Sequence, residues 1–461
     1  MNTRYNPRSV LIAASIALAL CASLSAQLST EVTSWRTNLN GAKGSSINRT
    51  INAVVSGVSA DVQSVQYNTT DVYVRCTTVP SHNVGPFPGN PNTPGNTNSI
   101  FRITRSPRKA TRNTRTGLGP IGVFVNGVPA FNALDGRSYF NQGTWNQNAY
   151  VTEGRTFDAA LGHPAPGRGG AGLYHYHNMP LAVLIQEAET WGKGHSPLIG
   201  FSFDGFPIYG PYGFVNTNGT GGVRRMRTSY RKRSITVRQK LPNGTPLPSN
   251  RYGPVVSTRY PLGYFVEDFE YVNTMGDLDQ FNGRFTVTPE YPGGIYAYFV
   301  TVDASKTPEY PFIVGPQYYG VPINNRGVSI PGGVTTYVEQ VQHTGAGCSG
   351  LFLDASGLPK VPNSSFAITL ADGQANANAL FIIGSGLLPT PTTLFGCPIY
   401  LNLASPFTTV GLVTLNSSGG YSLALPIPNN SALIGLSVDM QSAAAAGTGT
   451  TTSNALTLLL K

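Results

Sequence analysis

The sequence predicts a mainly β protein: a large β-rich domain with one short helix, followed by a small C-terminal β-sandwich. Short runs rich in β-branched and aromatic residues, typical of strands, recur along the chain. Gly and Pro, 53 and 35 of the 461 residues, separate these runs with turns. Only 11% of the residues are charged, which leaves few of the Glu–Lys pairs that stabilise long exposed helices.

The first 26 residues have the organisation of a secretory signal peptide. Arg4 and Arg8 precede an apolar run over residues 10–22, and small residues follow up to Ala26. The run is shorter than the roughly 20 residues that span a bilayer. We therefore expect cleavage after Ala26 and a secreted or cell-surface protein, periplasmic if it is retained. Cys21 leaves a lipoprotein as the alternative, although a bulky leucine precedes it.

Residues 27–325 form the predicted large domain. Its clearest strand patterns lie at residues 62–67, 122–125, 199–203 and 296–301. One helix is predicted to begin at Pro180 and to end at Gly192. Its apolar stripe consists of Leu181, Leu184, Ile185 and Ala188.

Residues 321–333 are rich in Gly, Pro and Asn. They favour a linker, predicted over residues 326–341, to the C-terminal module at residues 342–461. This module is almost uncharged, and its strand patterns lie at residues 367–370, 380–383, 410–413 and 433–438. Cys348 and Cys397 can pair within it and close a loop of about 50 residues. Cys76 is then left over, and its alternating surroundings predict a buried thiol in a strand.

Four of the six histidines lie within a short part of the chain: His163, His175, His177 and His195. Residues two apart share one face of a strand, so His175 and His177 can present two imidazoles side by side. The other two lie on flanking Gly/Pro loops that can complete a site. All four are candidate ligands, and imidazole ligation suits Zn or Cu. Structural histidines, or metal-free acid–base catalysis, are the alternatives.

Carboxylates near these histidines could extend the site. Glu153, Asp158 and Asp204 are candidate further ligands or hydrogen-bond acceptors for the second imidazole nitrogen. Asp204 is also the candidate proton-transfer group, because it follows His195 on a strand-like run.

A weaker metal candidate lies at residues 276–283, which resemble the start of a calcium loop. Asp277, Asp279 and Asn282 would be its ligands, but the Glu expected at the twelfth position is replaced by Thr288. The alternative is that these carboxylates cap a turn.

The positive charge is concentrated in one segment. Residues 205–266 contain ten Lys or Arg and no Asp or Glu, and the formal net charge of the whole chain is +10. We expect a surface hairpin over residues 224–240. The export signal argues against nucleic acid as its partner and leaves an anionic cell-surface polymer or glycan.

Several blocks together resemble the YHYH domain family. The run Tyr174-His175-Tyr176-His177 carries the motif that gives the family its name. Further similar blocks lie at residues 119–128, 162–164 (the "GHP" block), 195–213 and 276–292. Where many members carry two additional cysteines, this chain has Ala160 and Phe281, so the resemblance implies that an extra disulfide is missing here.

The resemblance implies a secreted or surface domain without an established activity, and it does not decide whether the protein is an enzyme. The C-terminal module is similar to β-rich modules that end many secreted planctomycete proteins. Two classes of function stay open. One is a metal-binding ectodomain; the other is a non-catalytic structural or glycan-binding protein in which the His/Tyr cluster is a buried hydrogen-bond network.

Overall fold

The computed structural model describes residues 29–38, 42–46, 57–167, 171–337, 341–357, 359–433, 436–447 and 449–460. The proposed signal peptide lies outside the described residues. Strands account for 38% of the structure and helices for 7%, so the prediction of a mainly β protein is confirmed. The chain divides into two compact units, Ser29–Tyr337 and a second unit described from residue 341 to residue 460. Within the described ranges, no helix combines the length and hydrophobicity that crossing a membrane requires.

The first unit is built from short strands. They are β1 (Ser45–Ser46), β2 (Val62–Tyr67), β3 (Asp71–Cys76), β4 (Asn83–Val84), β5 (Ser99–Thr104), β6 (Pro120–Phe124), β7 (Pro129–Phe131), β8 (Leu134–Ser138), β9 (Asn146–Asn148), β10 (His163–Ala165), β11 (Leu173–His175), β12 (Leu198–Ser202), β13 (Pro207–Tyr209), β14 (Tyr212–Phe214), β15 (Val223–Arg225), β16 (Tyr230–Lys232), β17 (Phe269–Tyr271), β18 (Gly283–Thr286), β19 (Ile295–Phe299) and β20 (Thr335–Thr336). Its α-helices are α1 (Thr30–Thr33), α2 (Ala149–Thr152) and α3 (Leu181–Gln186). Its 3₁₀ turns are Tyr139–Asn141, Gly154–Thr156, Ser249–Arg251 and Val266–Asp268.

Two larger sheets form the frame of this unit. The six-stranded sheet has the order β18-β19-β13-β12-β6-β7 and is antiparallel except between β13 and β19. The four-stranded sheet has the order β20-β2-β3-β5. The remaining pairs are β1-β4, β8-β9, β10-β11, β14-β15 and β16-β17. The central strands are buried along their length, which explains why their sequences read as almost continuous apolar runs.

The predicted helix is present as α3, but it is shorter than its apolar stripe. Val183 and Leu184 are buried, whereas Ile185 is 64% exposed. Ala188 has a left-handed backbone (φ 58°), which stops the helix before the glycine predicted to end it. The local pattern therefore located the helix, and a backbone reversal two residues beyond Gln186 set its end.

The basic segment at residues 224–240 is not a surface hairpin, and that prediction was wrong. Strand β15 pairs with β14, and β16 pairs with β17, so the two strands of the segment have different partners. Arg238 is fully buried and forms a bidentate ion pair with Asp268. The segment has no acidic residue of its own, and acids that follow it in the sequence, such as Asp268, form ion pairs with its arginines.

Cys76 ends β3 as a buried free thiol, as its alternating surroundings predicted. Its Sγ lies 3.1 Å from the carbonyl oxygen of Gly127. A side chain at Gly127 would collide with Cys76, because an added Cβ would lie 2.5 Å from the Cys76 Cβ. The thiol is therefore part of the packing between β3 and the turn after β6.

The second unit contains a different set of strands. They are β21 (Val341–Thr344), β22 (Phe352–Ala355), β23 (Ala367–Ala371), β24 (Asn378–Gly384), β25 (Leu387–Leu394), β26 (Cys397–Leu401), β27 (Phe407–Thr414), β28 (Tyr421–Ala424), β29 (Ser437–Ala446) and β30 (Gly449–Leu459), with a 3₁₀ turn at Ser431–Leu433. They form sheets with the orders β21-β30-β29-β24-β27, β22-β23-β28 and β25-β26. Residues of the first two sheets share one apolar cluster, in which Leu353, Ile368, Phe381 and Leu456 are fully buried. The sandwich arrangement itself stays a prediction.

The predicted disulfide joins Cys348 to Cys397, with 5.6 Å between the two Cα atoms. Cys397 begins β26, and Cys348 lies in the turn between β21 and β22. The bridge therefore closes a long loop within the second unit.

Candidate metal centre

Three histidines meet where β10, β11 and the following extended residues run side by side. His163 of β10 is the direct cross-strand partner of His175 in β11. Beyond β11 the chain stays extended along β7: the amide of Phe131 donates to the carbonyl of Tyr176 at 2.8 Å. This continuation brings His177 to the same side as His175.

The alternation of the Y-H-Y-H run places the two tyrosines on one face of the strand and the two histidines on the other. The Tyr174 hydroxyl donates to the Asp158 carboxylate at 2.8 and 3.0 Å. The Tyr176 hydroxyl lies 2.6 Å from Nε2 of His82, whose pKa is lowered by burial to about 4. His175 and His177 contact each other instead, because successive side chains of a strand point to opposite faces. The tyrosines anchor the strand, and the histidines form a separate cluster.

The Nε2 atoms of the three histidines converge on one point. Nε2 of His175 lies 3.0 Å from that of His177 and 3.2 Å from that of His163. The three residues are between 2% and 5% exposed. A carboxylate oxygen of Glu153 completes the group, 3.0 Å from Nε2 of His163 and 3.4 Å from that of His177. All four ligand atoms lie within 4.8 Å of one another.

The hydrogen bonds at Nδ1, the nitrogen of each ring that points away from the cluster, determine which tautomer the ring adopts. Nδ1 of His175 donates to the carbonyl of Leu173 at 3.0 Å, and Nδ1 of His177 donates to that of Asn132 at 2.6 Å. Nδ1 of His163 lies 2.7 Å from the Thr156 hydroxyl, which itself donates to the Glu153 carbonyl. A ring in its neutral form therefore carries its proton on Nδ1 and turns the lone pair of Nε2 inward.

The local electrostatics favour neutral rings at His163 and His175 and an ionised carboxylate at Glu153. Burial lowers the pKa of His163, and burial together with the neighbouring His177 lowers the pKa of His175 well below its ordinary value. Burial by itself would raise the pKa of Glu153, but the imidazoles of His163 and His177 hold it below its usual range. Burial raises the pKa of the adjacent Asp135, and the charge of Glu153 raises it further.

This arrangement fits a bound cation. Three lone pairs and a carboxylate face one another at short range, which is repulsive unless a positive charge lies between them. Ligand atoms bound at 2.0–2.1 Å in a tetrahedral zinc site lie about 3.3 Å apart. Four separations within the cluster, 3.0–3.4 Å, are close to this spacing, and the four ligand atoms all lie within 4.8 Å of one another. The outer hydrogen bonds to Thr156, Leu173 and Asn132 are of the kind that orient metal-ligating histidines.

His195 does not join this cluster. In the described part of the chain, the group able to hold a metal ion consists of Glu153, His163, His175 and His177. The His195 ring packs against Tyr209, Phe214 and Phe299 at centroid distances of 5.1, 4.9 and 6.0 Å. It precedes β12 and is held by the aromatic side chains of other strands of the unit.

Asp204 and Asp158 are organising carboxylates rather than members of the cluster. Asp204 is fully buried and accepts hydrogen bonds from the Tyr298 hydroxyl at 2.6 Å and from the amide of Gly320 at 2.8 Å. Asp158 binds Tyr174 and also accepts from the amide of Gly85 at 2.9 Å. Glu153 is the carboxylate that contacts the histidines.

The two carboxylates of the acidic loop at residues 276–283 accept hydrogen bonds from protein donors. Asp277 pairs with Arg224 and accepts from the amide of Arg227 at 2.9 Å. Asp279 accepts from the Tyr296 hydroxyl at 2.8 Å and from the amide of Phe281 at 2.9 Å. The amide group of Asn282 donates to two backbone carbonyls, at 2.9 and 3.0 Å. This geometry corresponds to the turn-capping alternative, and a calcium ion would have to displace these donors.

Sequence reasoning named the four members of the cluster but not the groups that orient them. The Asn132 and Leu173 carbonyls are main-chain atoms, so no residue type in the sequence marks them. His82 lies outside the histidine-rich stretch, and only its packing against Tyr174 and Tyr176 identifies it. Glu153 and Thr156 lie three residues apart on the turns that follow α2. This spacing, which places both side chains on one side of a turn, is a local signal that could have identified them.

Comparison with known proteins agrees with the motif blocks. Residues 100–311 match the model of a family described as "YHYH protein", and the match includes all four members of the cluster. No curated protein and no solved structure matches the chain. The match stops before the second unit, whose similarity to planctomycete modules stays a prediction. Residues 100–311 of the first unit are therefore similar to the YHYH protein family.

Proposed function

We propose that this YHYH domain binds a zinc or copper ion through Nε2 of His163, His175 and His177, with Glu153 as the fourth ligand. One observation carries the proposal: three imidazoles, each fixed by a hydrogen bond at Nδ1, turn Nε2 toward one another and toward the Glu153 carboxylate. The donor set of three imidazoles and one carboxylate suits either metal.

The number of ligands separates a structural role from a catalytic one. With Glu153 bound, four protein ligands close a tetrahedral site, which favours storage or a structural role. With three histidines as the ligands, Glu153 would stay outside the coordination sphere as an ionised carboxylate that is 25% exposed at its side chain. A zinc ion with an open position supplies Lewis-acid activation of water.

We also propose that the protein is exported. The signal-peptide pattern supports this, and the Cys348–Cys397 disulfide is typical of oxidising compartments. An anionic cell-surface polymer or glycan is the partner that suits an exported basic protein. The predicted boundaries, with a YHYH domain over residues 27–325 and a C-terminal module from residue 342, belong to the same proposal.

The second candidate is a non-catalytic structural or glycan-binding protein. It is favoured by the tyrosine face of the motif, where Tyr174 and Tyr176 form a buried hydrogen-bonded network with Asp158 and His82. In that case the histidine face is an extension of the same network and holds no metal.

Metal analysis of the purified exported protein distinguishes the two candidates. We expect close to one zinc or copper ion per chain, and loss of the ion in both His175→Ala and His177→Ala. The matched control is His195→Ala, which removes another imidazole of the same domain and is expected to retain the metal. Metal-free protein that also fails to bind added zinc or copper would refute the first candidate.

Glu153→Gln then decides the ligand count. If Glu153 is a ligand, the variant loses affinity for the metal by at least about tenfold. If it lies outside the coordination sphere, the affinity changes much less.

A further inference from the structure

A cleft of about 780 Å³ lies in the first unit and has one aromatic wall. The wall consists of Tyr230, Phe269, Tyr271 and Tyr310. Phe269 stacks on Tyr310 with 4.2 Å between ring centroids, and Tyr230 lies edge-on to Tyr310 at 5.2 Å. Tyr271 extends the wall, 5.6 Å from Tyr230. The volume lies within the range of about 300–1,000 Å³ that is typical of ligand sites.

Polar and cationic groups face the same space. Arg115 and Arg251 line the cleft. The Arg251 guanidinium is held in place by the Gln142 carbonyl at 2.6 Å and the Thr144 hydroxyl at 3.1 Å. Arg115 is exposed, and the described residues include no acidic side chain that pairs with it. Glu267, whose carboxyl group accepts from Asn146, also lines the cleft and is partly buried. The cleft therefore combines apolar ring faces with two arginines and one acid.

A basic ribbon leads away from the cleft at Arg115. Its members Arg108, Lys109, Arg112 and Arg115 are all exposed, and no acid lies between them in the sequence. The ribbon is joined to the neighbouring segment at two points: residues 109 and 115 form antiparallel bridges to residues 320 and 317. Within the described ranges, none of the four cations forms an ion pair with an acidic side chain; Lys109 instead lies 5.6 Å from the ring centre of Tyr319.

The segment at residues 224–240 contrasts with this ribbon. Arg224 and Arg231 are 44% and 59% exposed at their side chains, yet they pair with Asp277 and Glu270. Much of the charge that dominates the sequence is therefore neutralised locally. The ribbon at residues 108–115 keeps its positive charge available to a partner.

We propose that the cleft and the basic ribbon together bind an acidic polysaccharide. Pyranose rings have apolar faces that pack on tyrosine, and their hydroxyls hydrogen-bond to the polar rim of the cleft. The carboxylates or sulfates of such a polymer pair with the arginines of the ribbon. Nucleic acid shares the charge, but the export pattern of the N-terminus favours a polymer outside the cell. The inference rests on the proposed export and on the anionic partner proposed above, and it is independent of the metal centre.

Calorimetric titration of the exported protein at about 0.1 M salt tests this. The probes are a hexasaccharide of galacturonate, a sulfated hexasaccharide and a neutral hexasaccharide of glucose. We expect at least one acidic probe to bind and the neutral probe to bind at least about tenfold more weakly. The acidic probe that binds more tightly identifies a carboxylated or a sulfated polymer. Equal affinity for the neutral probe, or no binding of either acidic probe up to about 1 mM, would overturn the proposal.

Variants assign the binding to the site. The double variant Arg112→Ala/Arg115→Ala is expected to weaken binding about 10- to 100-fold. The matched control Arg224→Ala/Arg231→Ala removes the same number of charges from locally paired side chains and is expected to change affinity less than about threefold. Tyr271→Ala is expected to weaken binding about five- to tenfold, and an unchanged affinity would exclude the cleft from the site.

A further titration distinguishes polysaccharide binding from nucleic-acid binding. A single-stranded oligothymidylate of the same charge is expected to bind more weakly than the preferred hexasaccharide. Tighter binding of the oligonucleotide, lost in Arg112→Ala/Arg115→Ala, would overturn the assignment to polysaccharide.

Discussion

Glu267 is a carboxyl group whose surroundings work against its ionisation. It receives hydrogen bonds from the amide of Asn146 at 2.7 Å and from the Asn146 side chain at 2.6 Å. These hydrogen bonds lower the pKa of Glu267, but burial raises it by more, and the charge of Asp268 raises it further. The resulting pKa of Glu267 is about 7. Its role in the fold therefore depends on its protonation.

The pH dependence of stability follows from this raised pKa. Between the unfolded value near 4.5 and the folded value of about 7, the folded protein binds the proton more tightly than the unfolded chain does. The contribution of Glu267 is fully present below about pH 4.5 and is lost as the pH rises through about 7. We expect the free energy of unfolding to fall by about 1–3 kcal/mol more in the wild type than in Glu267→Gln between pH 5 and 8. Denaturant titrations at several pH values test this, and parallel curves for the two proteins would contradict it.

Among the elements, the connection between β16 and β17 depends on one buried ion pair. The Arg238 guanidinium binds both oxygens of Asp268, at 2.7 and 2.8 Å, and both side chains are fully buried. Arg238 also donates to the carbonyls of Pro254, Tyr260 and Pro261. One side chain thereby ties together a stretch that has few strands of its own.

Removing the acid of this pair leaves a charge in the interior. We expect Asp268→Ala to lower the free energy of unfolding by about 3–5 kcal/mol, because the Arg238 guanidinium would stay buried without its partner. Glu270→Ala breaks the exposed pair with Arg231 and is expected to cost less than about 1 kcal/mol. Urea denaturation of both variants makes the comparison. If the two variants lose similar free energies of unfolding, the buried ion pair contributes no more to stability than the exposed one, and the prediction is wrong.

At the scale of the whole molecule, the two units are stabilised in different ways. The first unit contains numerous buried polar networks, such as those around Asp158, Asp204 and Asp268. The second unit has few charges and relies on its apolar cluster and on the Cys348–Cys397 bridge. Loss of the bridge should therefore act mainly on the second unit.

The disulfide closes a loop with a sequence separation of 49 residues. Loop-closure entropy predicts that Cys348→Ser/Cys397→Ser lowers the free energy of unfolding of the second unit by about 2–4 kcal/mol. Reductant should lower the stability of the wild type by a similar amount and leave the double variant unchanged. Chemical denaturation of the full chain with and without reductant measures both effects. A wild-type protein insensitive to complete reduction would contradict the prediction.

Local features of the sequence determined the strands, the helix position, the disulfide and the shared face of His175 and His177. Strand alternation has a period of two, so a Y-H-Y-H run must separate its tyrosines from its histidines. The two cysteines of the second unit are close enough in sequence to be paired without a structure. None of these inferences requires knowledge of which distant segments meet.

Only the tertiary structure decided which groups complete the site and which charges remain available. His195 and Asp204 lie near the motif in sequence, but other strands surround them with aromatic and backbone partners, and the turn after α2 brings Glu153 to the histidines instead. Four arginines of the basic segment likewise meet acids from residues 268–277: Arg224, Arg227, Arg231 and Arg238. The ribbon at residues 108–115, in contrast, keeps its positive charge exposed. These outcomes depend on long-range pairing between loops, and loop pairing leaves no periodic signal in the sequence.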